Sequence, residues 1–257
     1  MNRAALLTLL LLASPGAPPK AAAAQLGYTI YVLGLPVADA IIGVDMASPA
    51  YRLVLRFHTT GIADVFAGDK LEEHTAGRLE NDEPAPFEYG SSGRIHGQDR
   101  TVGLTWHGGT PTIAVIAPPN TAEREDVPAA LLAHTVDPLD AIVLLLHQVE
   151  RTGRCEGSAR AYDGRRLQLL EAQTVVEEEV RHSLRSIFSG RALRCQFSDQ
   201  TLAGYRTGSG RDDDLRIHRG TIWLAQVLPG AQKLPVRASV ETRWLGDAMI
   251  YLTSASP

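Results

Sequence analysis

Alternation of apolar and polar residues along many short segments constrains the fold of this chain more than any other feature. In one segment, Leu53, Leu55 and Phe57 alternate with polar residues, as in a half-buried strand. Similar segments recur along the chain, and turn sequences such as Asp163-Gly164 separate them. The sequence therefore predicts a mainly β fold, which is a barrel, a sandwich or a rolled sheet. Among these we expect a long antiparallel sheet rolled into an open barrel or a spiral.

One segment departs from this alternation and predicts a helix near residues 138–151. Asp137 is a favourable N-cap, Pro138 suits the first helical position, and Gly153 follows the end. The first two turns are apolar on nearly every side, and a helix of this kind must be enclosed. We therefore expect the sheet to enclose this helix, or the helix to cap the open mouth of the sheet.

The N-terminus has the features of a secretory leader. Arg3 gives a positive start, an apolar run follows over residues 4–13, and residues 21–24 are four alanines. The run is shorter than the ~20 residues of a membrane-spanning helix. We expect cleavage after Ala24, which leaves residues 25–257 as a single exported domain that is not an integral membrane protein. A retained N-terminal anchor is the alternative.

Charge argues against two classes of partner. The formal net charge is −4, and removal of the leader takes away Arg3 and Lys20, which makes the remaining chain more acidic. Nucleic acids and anionic membranes are bound mainly through clustered basic residues, so neither is an expected partner.

Cys155 and Cys195 are the two cysteines of the chain. In an oxidising compartment an isolated pair normally forms one disulfide, worth roughly 4 kcal/mol in the chain-entropy model. Two free thiols are the alternative.

Several short motifs occur in a characteristic order. They are Tyr28-x-x-Tyr31, Thr60-Gly61, Pro118-Pro119, residues 135–141, Cys155 with residues 162–166, residues 190–192 with Cys195, and residues 234–237. Together they resemble the domain-of-unknown-function 3108 family across nearly the whole mature chain. Asp140 departs from the Ser that is common in this family at that position.

The resemblance implies a periplasmic protein of a Gram-negative bacterium. Long sheets of this kind are similar to those of outer-membrane lipoprotein carriers and of spiral-sheet envelope-integrity proteins, which curl around an apolar cavity. What this implies is the binding of an apolar ligand, or a structural role in the cell envelope; both rest on analogy between folds.

The residues that we expect to line such a cavity are aromatic or aliphatic, although core packing explains the same residue types. They are Tyr28, Tyr31, Phe57, Trp106, Ile142, Val143 and Leu146. Arg165 and Arg166, at a hairpin tip, are candidates for holding an anionic head group.

Three functions remain open from the sequence. The leading one is non-catalytic binding of a lipid or other apolar ligand in support of the envelope. The second is a scaffold that binds envelope proteins through a sheet edge or the Pro-rich connection. The third is a hydrolase that uses His134 and Asp137 near the helix N-terminus. The histidines lack metal-ligand spacing, so no metal and no cofactor is expected.

Overall fold

The computed structural model describes residues 23–46, 49–242 and 245–257, and one sheet of thirteen strands runs through them. The strands are β1 (Ala24–Val32), β2 (Leu35–Asp45), β3 (Ala50–Thr59), β4 (Lys70–Glu80), β5 (Glu83–Ile95), β6 (Gln98–His107), β7 (Thr110–Ala117), β8 (Gly157–Tyr162), β9 (Leu167–Val180), β10 (Gly190–Ala203), β11 (His218–Ala225), β12 (Leu234–Glu241) and β13 (Asp247–Ser256). The helices are α1 (Gly61–Phe66), α2 (Pro138–Thr152) and α3 (Arg211–Asp214), with short 3-10 turns at Asn120–Ala122 and Ala129–Leu131.

Every strand pairs antiparallel with its neighbours in a simple meander. The spatial order is β7-β6-β5-β4-β3-β2-β1-β13-β12-β11-β10-β9-β8, so the first and last strands pair near the middle of the sheet. The edges are β7 and β8, and among the described residues no ladder joins them. The sheet is therefore an open barrel, which confirms the predicted fold class.

Helix α2 lies in the connection between the two edge strands. Its first turn is capped by Asp137, whose Oδ1 accepts hydrogen bonds from the backbone N–H groups of Leu139 (2.8 Å) and Asp140 (3.0 Å). Gly153 ends the helix in a left-handed conformation. The helix contacts β4, β5 and β8, and its residues Leu139, Val143, Leu146 and Val149 are buried. The sheet thus covers one face of α2. Its apolar sequence predicts enclosure on nearly every side, but Leu144 and Leu145 on the other faces are only partly buried.

The core is formed by α2 together with the inward-facing residues of the sheet. The largest fully buried side chains are leucines from many elements: Leu26, Leu53, Leu104, Leu146, Leu167, Leu224, Leu234 and Leu252. Burial of each such side chain contributes about 1.5–3 kcal/mol. A Cys155–Cys195 disulfide, with a Cα–Cα distance of 6.1 Å, ties the segment after α2 to β10 inside this core.

The predicted leader, residues 1–24, lies outside the described residues except for Ala23 and Ala24. Ala24 is buried and pairs with Val44 as the first residue of β1. Cleavage after Ala24 stays a prediction. Within the described ranges, no helix has the length and apolar character needed to cross a bilayer.

Candidate functional site: a cavity lined by arginines

A cavity of about 900 Å³ lies between strands β4–β6 on one side and β9–β10 on the other. Its apolar lining includes Leu71, Tyr89, Ile95, Val102 and Leu170. Its charged lining consists of Glu73, Arg100, Glu123, Arg124, Asp163, Arg165, Arg166, Asp199 and Arg206. The cavity lining therefore combines apolar side chains with a dense group of charges.

The turn between β8 and β9 carries two of these arginines into the cavity. Asp163 Oδ1 accepts hydrogen bonds from the backbone N–H groups of Arg165 and Arg166, both at 2.8 Å. Gly164 has φ +87°, and a Cβ there would lie 2.5 Å from Val102 Cγ1 on β6. Only glycine therefore allows this turn to sit against the opposite side of the sheet.

Arg166 is paired within the same turn. Its Nε donates to Asp163 Oδ2 at 3.0 Å. Burial lowers the pKa of Arg166, but the carboxylates of Asp163, Asp199 and Asp214 raise it by more. The pKa of Arg166 is therefore above that of an ordinary arginine. Its side chain is still 34% exposed, because it faces the cavity.

Arg100 and Glu123 form a two-point ion pair across the cavity wall. The Nη1 and Nη2 atoms of Arg100 each donate to a Glu123 oxygen at 2.7 Å. The hydrogen bonds from Arg100 hold the pKa of Glu123 below its usual value. Arg100 Nε is buried and has no partner among the described residues.

Asp214 pairs with two further arginines of the cavity; it is 3% exposed and lies just outside the lining. Its Oδ2 accepts from Arg124 Nη1 (3.1 Å) and from the backbone N–H of Arg206 (2.8 Å), and its Oδ1 lies 3.3 Å from Arg206 Nη2. Burial lowers the pKa of Arg124, and Asp214 partly offsets that effect.

Arg165 differs from the other four cavity arginines. Its Nη2 donates to the backbone carbonyls of Ala117 (2.9 Å) and Pro118 (3.1 Å), and no carboxylate among the described residues pairs with it. The residue is 9% exposed, and its Nη1 is buried without a partner. Burial, and then the nearby positive charge of Arg100, lower its pKa.

The acidic side of the cavity is held by neutral donors. The Tyr89 hydroxyl donates to Glu73 Oε1 at 2.8 Å, and burial raises the pKa of Glu73. Gln168 Nε2 donates to Asp199 Oδ2, whereas Asp199 Oδ1 is buried without a partner in the described part of the chain.

Two carboxyl groups are buried side by side at the N-terminus of α2, where Pro138 reaches the cavity wall. Asp137 and Asp140 are both 0% exposed, and the Thr75 hydroxyl lies 2.7 Å from Asp137 Oδ2 and 3.1 Å from Asp140 Oδ1. The Tyr51 hydroxyl lies next to Asp140. Burial raises the pKa of both carboxyl groups. The pair therefore loses its protons at a higher pH than ordinary aspartate side chains do.

Comparison with known proteins identifies the family. Residues 27–253 match the model of the protein family of unknown function DUF3108. The chain belongs to this family. None of the curated proteins matches it.

One solved structure similar to this DUF3108 chain is a β-barrel-like protein of the domain of unknown function DUF1849 from Brucella abortus. The TM-score is 0.55 at 9% sequence identity, over 93% of this chain and 98% of the other. At this identity the similarity shows the fold alone.

Of the predicted ligand-binding residues in the DUF3108 chain, only Arg165 and Arg166 line the arginine cavity. Tyr28, Trp106, Val143 and Leu146 are buried in the core, whereas Tyr31, Phe57 and Ile142 are partly buried. The Tyr28 hydroxyl donates to the Pro235 carbonyl, and Trp106 Nε1 donates to the Thr135 carbonyl, both at 2.8 Å. These polar groups are satisfied within the protein.

His134 and Asp137 are not brought together. His134 is exposed in a loop with φ +57°, whereas the carboxyl group of Asp137 is fully buried and is engaged by the helix N-terminus and Thr75. Within the described ranges, no group of three His, Cys, Asp or Glu residues has the geometry to hold a metal ion.

Sequence reasoning missed Arg100, Glu123, Arg124 and Arg206. Glu123 and Arg124 lie in the Pro-rich connection between β7 and α2, and long ordered connections are frequently functional. The length of this connection was the feature of the sequence that pointed to Glu123 and Arg124. Arg124 pairs with Asp214, ninety positions away, and a contact between such distant positions cannot be predicted from the sequence around either residue.

Proposed function

We propose that this protein is a non-catalytic binding protein that holds an amphiphilic ligand in the arginine cavity. The observation that carries this proposal is the cavity itself, whose lining combines apolar and charged side chains. Its volume of about 900 Å³ falls in the usual range of small-molecule sites, roughly 300–1,000 Å³. The apolar side chains Leu71 and Ile95 on one side of the cavity and Leu170 on the other suit an alkyl chain.

A ligand that is entirely apolar is less well supported than an amphiphile. Helix α2 and the leucines around it occupy the apolar interior of the sheet. The space that remains between β4–β6 and β9–β10 is bordered by charged groups, which need a polar partner or water. The ligand therefore has a polar group as well as an apolar part.

We place this binding in the periplasm, in support of the cell envelope. The predicted leader directs export, and the Cys155–Cys195 disulfide suits an oxidising compartment. Membership of DUF3108 is compatible with this role.

Native mass spectrometry of protein purified from its own periplasm tests the proposal. We expect a bound small molecule in wild type, and its loss in Ser91→Trp, which fills the cavity from β5. Thr112→Trp, on the exposed part of edge strand β7, is the matched control and should retain the ligand. A ligand-free wild type, or equal occupancy in both variants, contradicts the proposal.

One observation favours the alternative function, a scaffold that binds envelope proteins. Strand β7 is a sheet edge, and Ile113 and Val115 on it are 44% and 46% exposed. Exposed edge strands are a common site for strand addition by a partner. Crosslinking from Thr112 in cells distinguishes the two functions, since a constant protein partner supports the scaffold.

A further inference from the structure

We infer that Arg165 is the binding residue for an oxyanion, a carboxylate or phosphate group of the ligand. This inference rests on the proposed function, because it names the chemistry of the same cavity. It replaces the predicted pair of Arg165 and Arg166 with a different one, Arg165 and Arg100.

The first argument is charge pairing. Five arginines line the cavity, and within the described ranges four of them contact a carboxylate: Arg100 contacts Glu123, Arg166 contacts Asp163, and Arg124 and Arg206 contact Asp214. Arg165 contacts only backbone carbonyl groups. It is therefore the cavity cation whose charge the fold leaves without a direct counter-charge.

The second argument is burial. Arg165 is 9% exposed, and a buried guanidinium without a directly paired counter-ion carries a desolvation cost. Its Nη2 is satisfied by two carbonyls, but its Nη1 has no acceptor among the described residues. Nη1 has almost no accessible surface, so an oxyanion reaches it only when the guanidinium turns toward the cavity. The oxyanion then supplies both the missing hydrogen bond and the missing charge, and such charge-assisted bonds are among the strongest in proteins.

The third argument is the neighbourhood of Arg165. Arg100 is close enough to lower the pKa of Arg165, and its buried Nε also lacks a partner in the described part of the chain. Glu123 and Asp163 also act on Arg165, and Asp163 pairs with Arg166. These three arginines and two carboxylates leave one positive charge in excess, which favours one added anion. Arg166 is not assigned to the anion, because Asp163 compensates its charge and no buried donor of its side chain lacks a partner in the described part of the chain.

An oxyanion of this kind has two possible sources. It is either a free anion or the head group of an amphiphile whose alkyl chain contacts the apolar lining residues. Three probes separate these sources in calorimetric titrations of the whole protein after ligand removal: decanoate carries an oxyanion and a chain, decan-1-ol carries the chain alone, and inorganic phosphate carries the oxyanion alone.

The variants are Arg165→Gln, which removes the charge but retains a donor, and Arg165→Lys, which keeps the charge if Arg165→Gln fails to fold. The matched control is Arg160→Gln, since Arg160 also donates to a backbone carbonyl, that of Leu131, but lies outside the cavity lining. We expect Arg165→Gln to weaken decanoate binding about tenfold or more. Arg165→Lys should lose less, and Arg160→Gln should bind as wild type does.

The outcomes test the role of Arg165 and the proposed binding function separately. Loss of decanoate affinity in Arg165→Gln, with decan-1-ol unchanged, supports the inference and identifies an amphiphile; Arg165-dependent binding of phosphate supports it and identifies a free anion. Equal binding of decanoate and decan-1-ol with no effect of Arg165→Gln overturns the inference but leaves the proposed function standing. Failure of all three probes to bind overturns both.

Discussion

Replacement of Leu146 by Ala tests whether the sheet encloses α2. Leu146 is 1% exposed and belongs to the buried core, and truncation of such a leucine costs about 3 kcal/mol within a usual range of about 2–5 kcal/mol. For a domain of this size, about 1 kcal/mol shifts Tm by roughly 2–4 °C. We therefore expect Leu146→Ala to lower Tm by about 6–12 °C in a calorimetric scan.

Leu144→Ala is the matched control, because it makes the same chemical change in the same helix. Leu144 is only partly buried and is not among the side chains that pack against the buried core, so its loss should cost less than about 1 kcal/mol. The two substitutions change helix propensity equally, so the difference between them reports enclosure. Equal shifts in Tm would refute the arrangement described here.

Three further predictions concern stability. Because burial raises the pKa of Asp137 and Asp140, their contribution to the free energy of unfolding is fully present below the ordinary pKa of 3.8 and is lost as pH rises. Asp140→Asn should therefore gain stability relative to wild type between pH 4 and pH 8 in urea titrations, and a constant difference contradicts this. Cys155→Ser removes a link across 40 residues, worth about 4 kcal/mol, and should lower Tm by roughly 8–16 °C; an unchanged Tm under oxidising conditions rules out the disulfide. Gly164→Ala should cost more than Gly230→Ala in urea titrations, because both have positive φ but only Gly164 faces a close contact; equal costs contradict the packing of the turn on β6.

The local features of this fold could be predicted because their causes are local. Alternation and turn residues define the strands, and Asp137, Pro138 and Gly153 define α2. Helix α1 was not predicted, because it has only six residues; Ile62, Val65 and Phe66 have helical spacing, but all three are exposed.

The site could be predicted only in part, because its residues come together through the curvature of the sheet. Tyr28 and Tyr31 illustrate one limit: they are three positions apart on β1 and so face opposite sides of the sheet, with Tyr28 in the core and Tyr31 only partly buried against Tyr251. Arg165 was a candidate from its hairpin tip alone. Unlike Arg166, it has no carboxylate partner among the described residues. The reason is that Glu123, in the connection between β7 and α2, pairs with Arg100 instead.

The most direct test of the central claim is a crystal structure of the protein purified from its own periplasm, without removal of bound molecules. The account predicts electron density for an elongated ligand between β4–β6 and β9–β10, with an oxygen-bearing group within hydrogen-bond distance of Arg165 Nη1. Side chains that fill this space, or a ligand bound elsewhere with Arg165 paired to a carboxylate of the protein, contradict it.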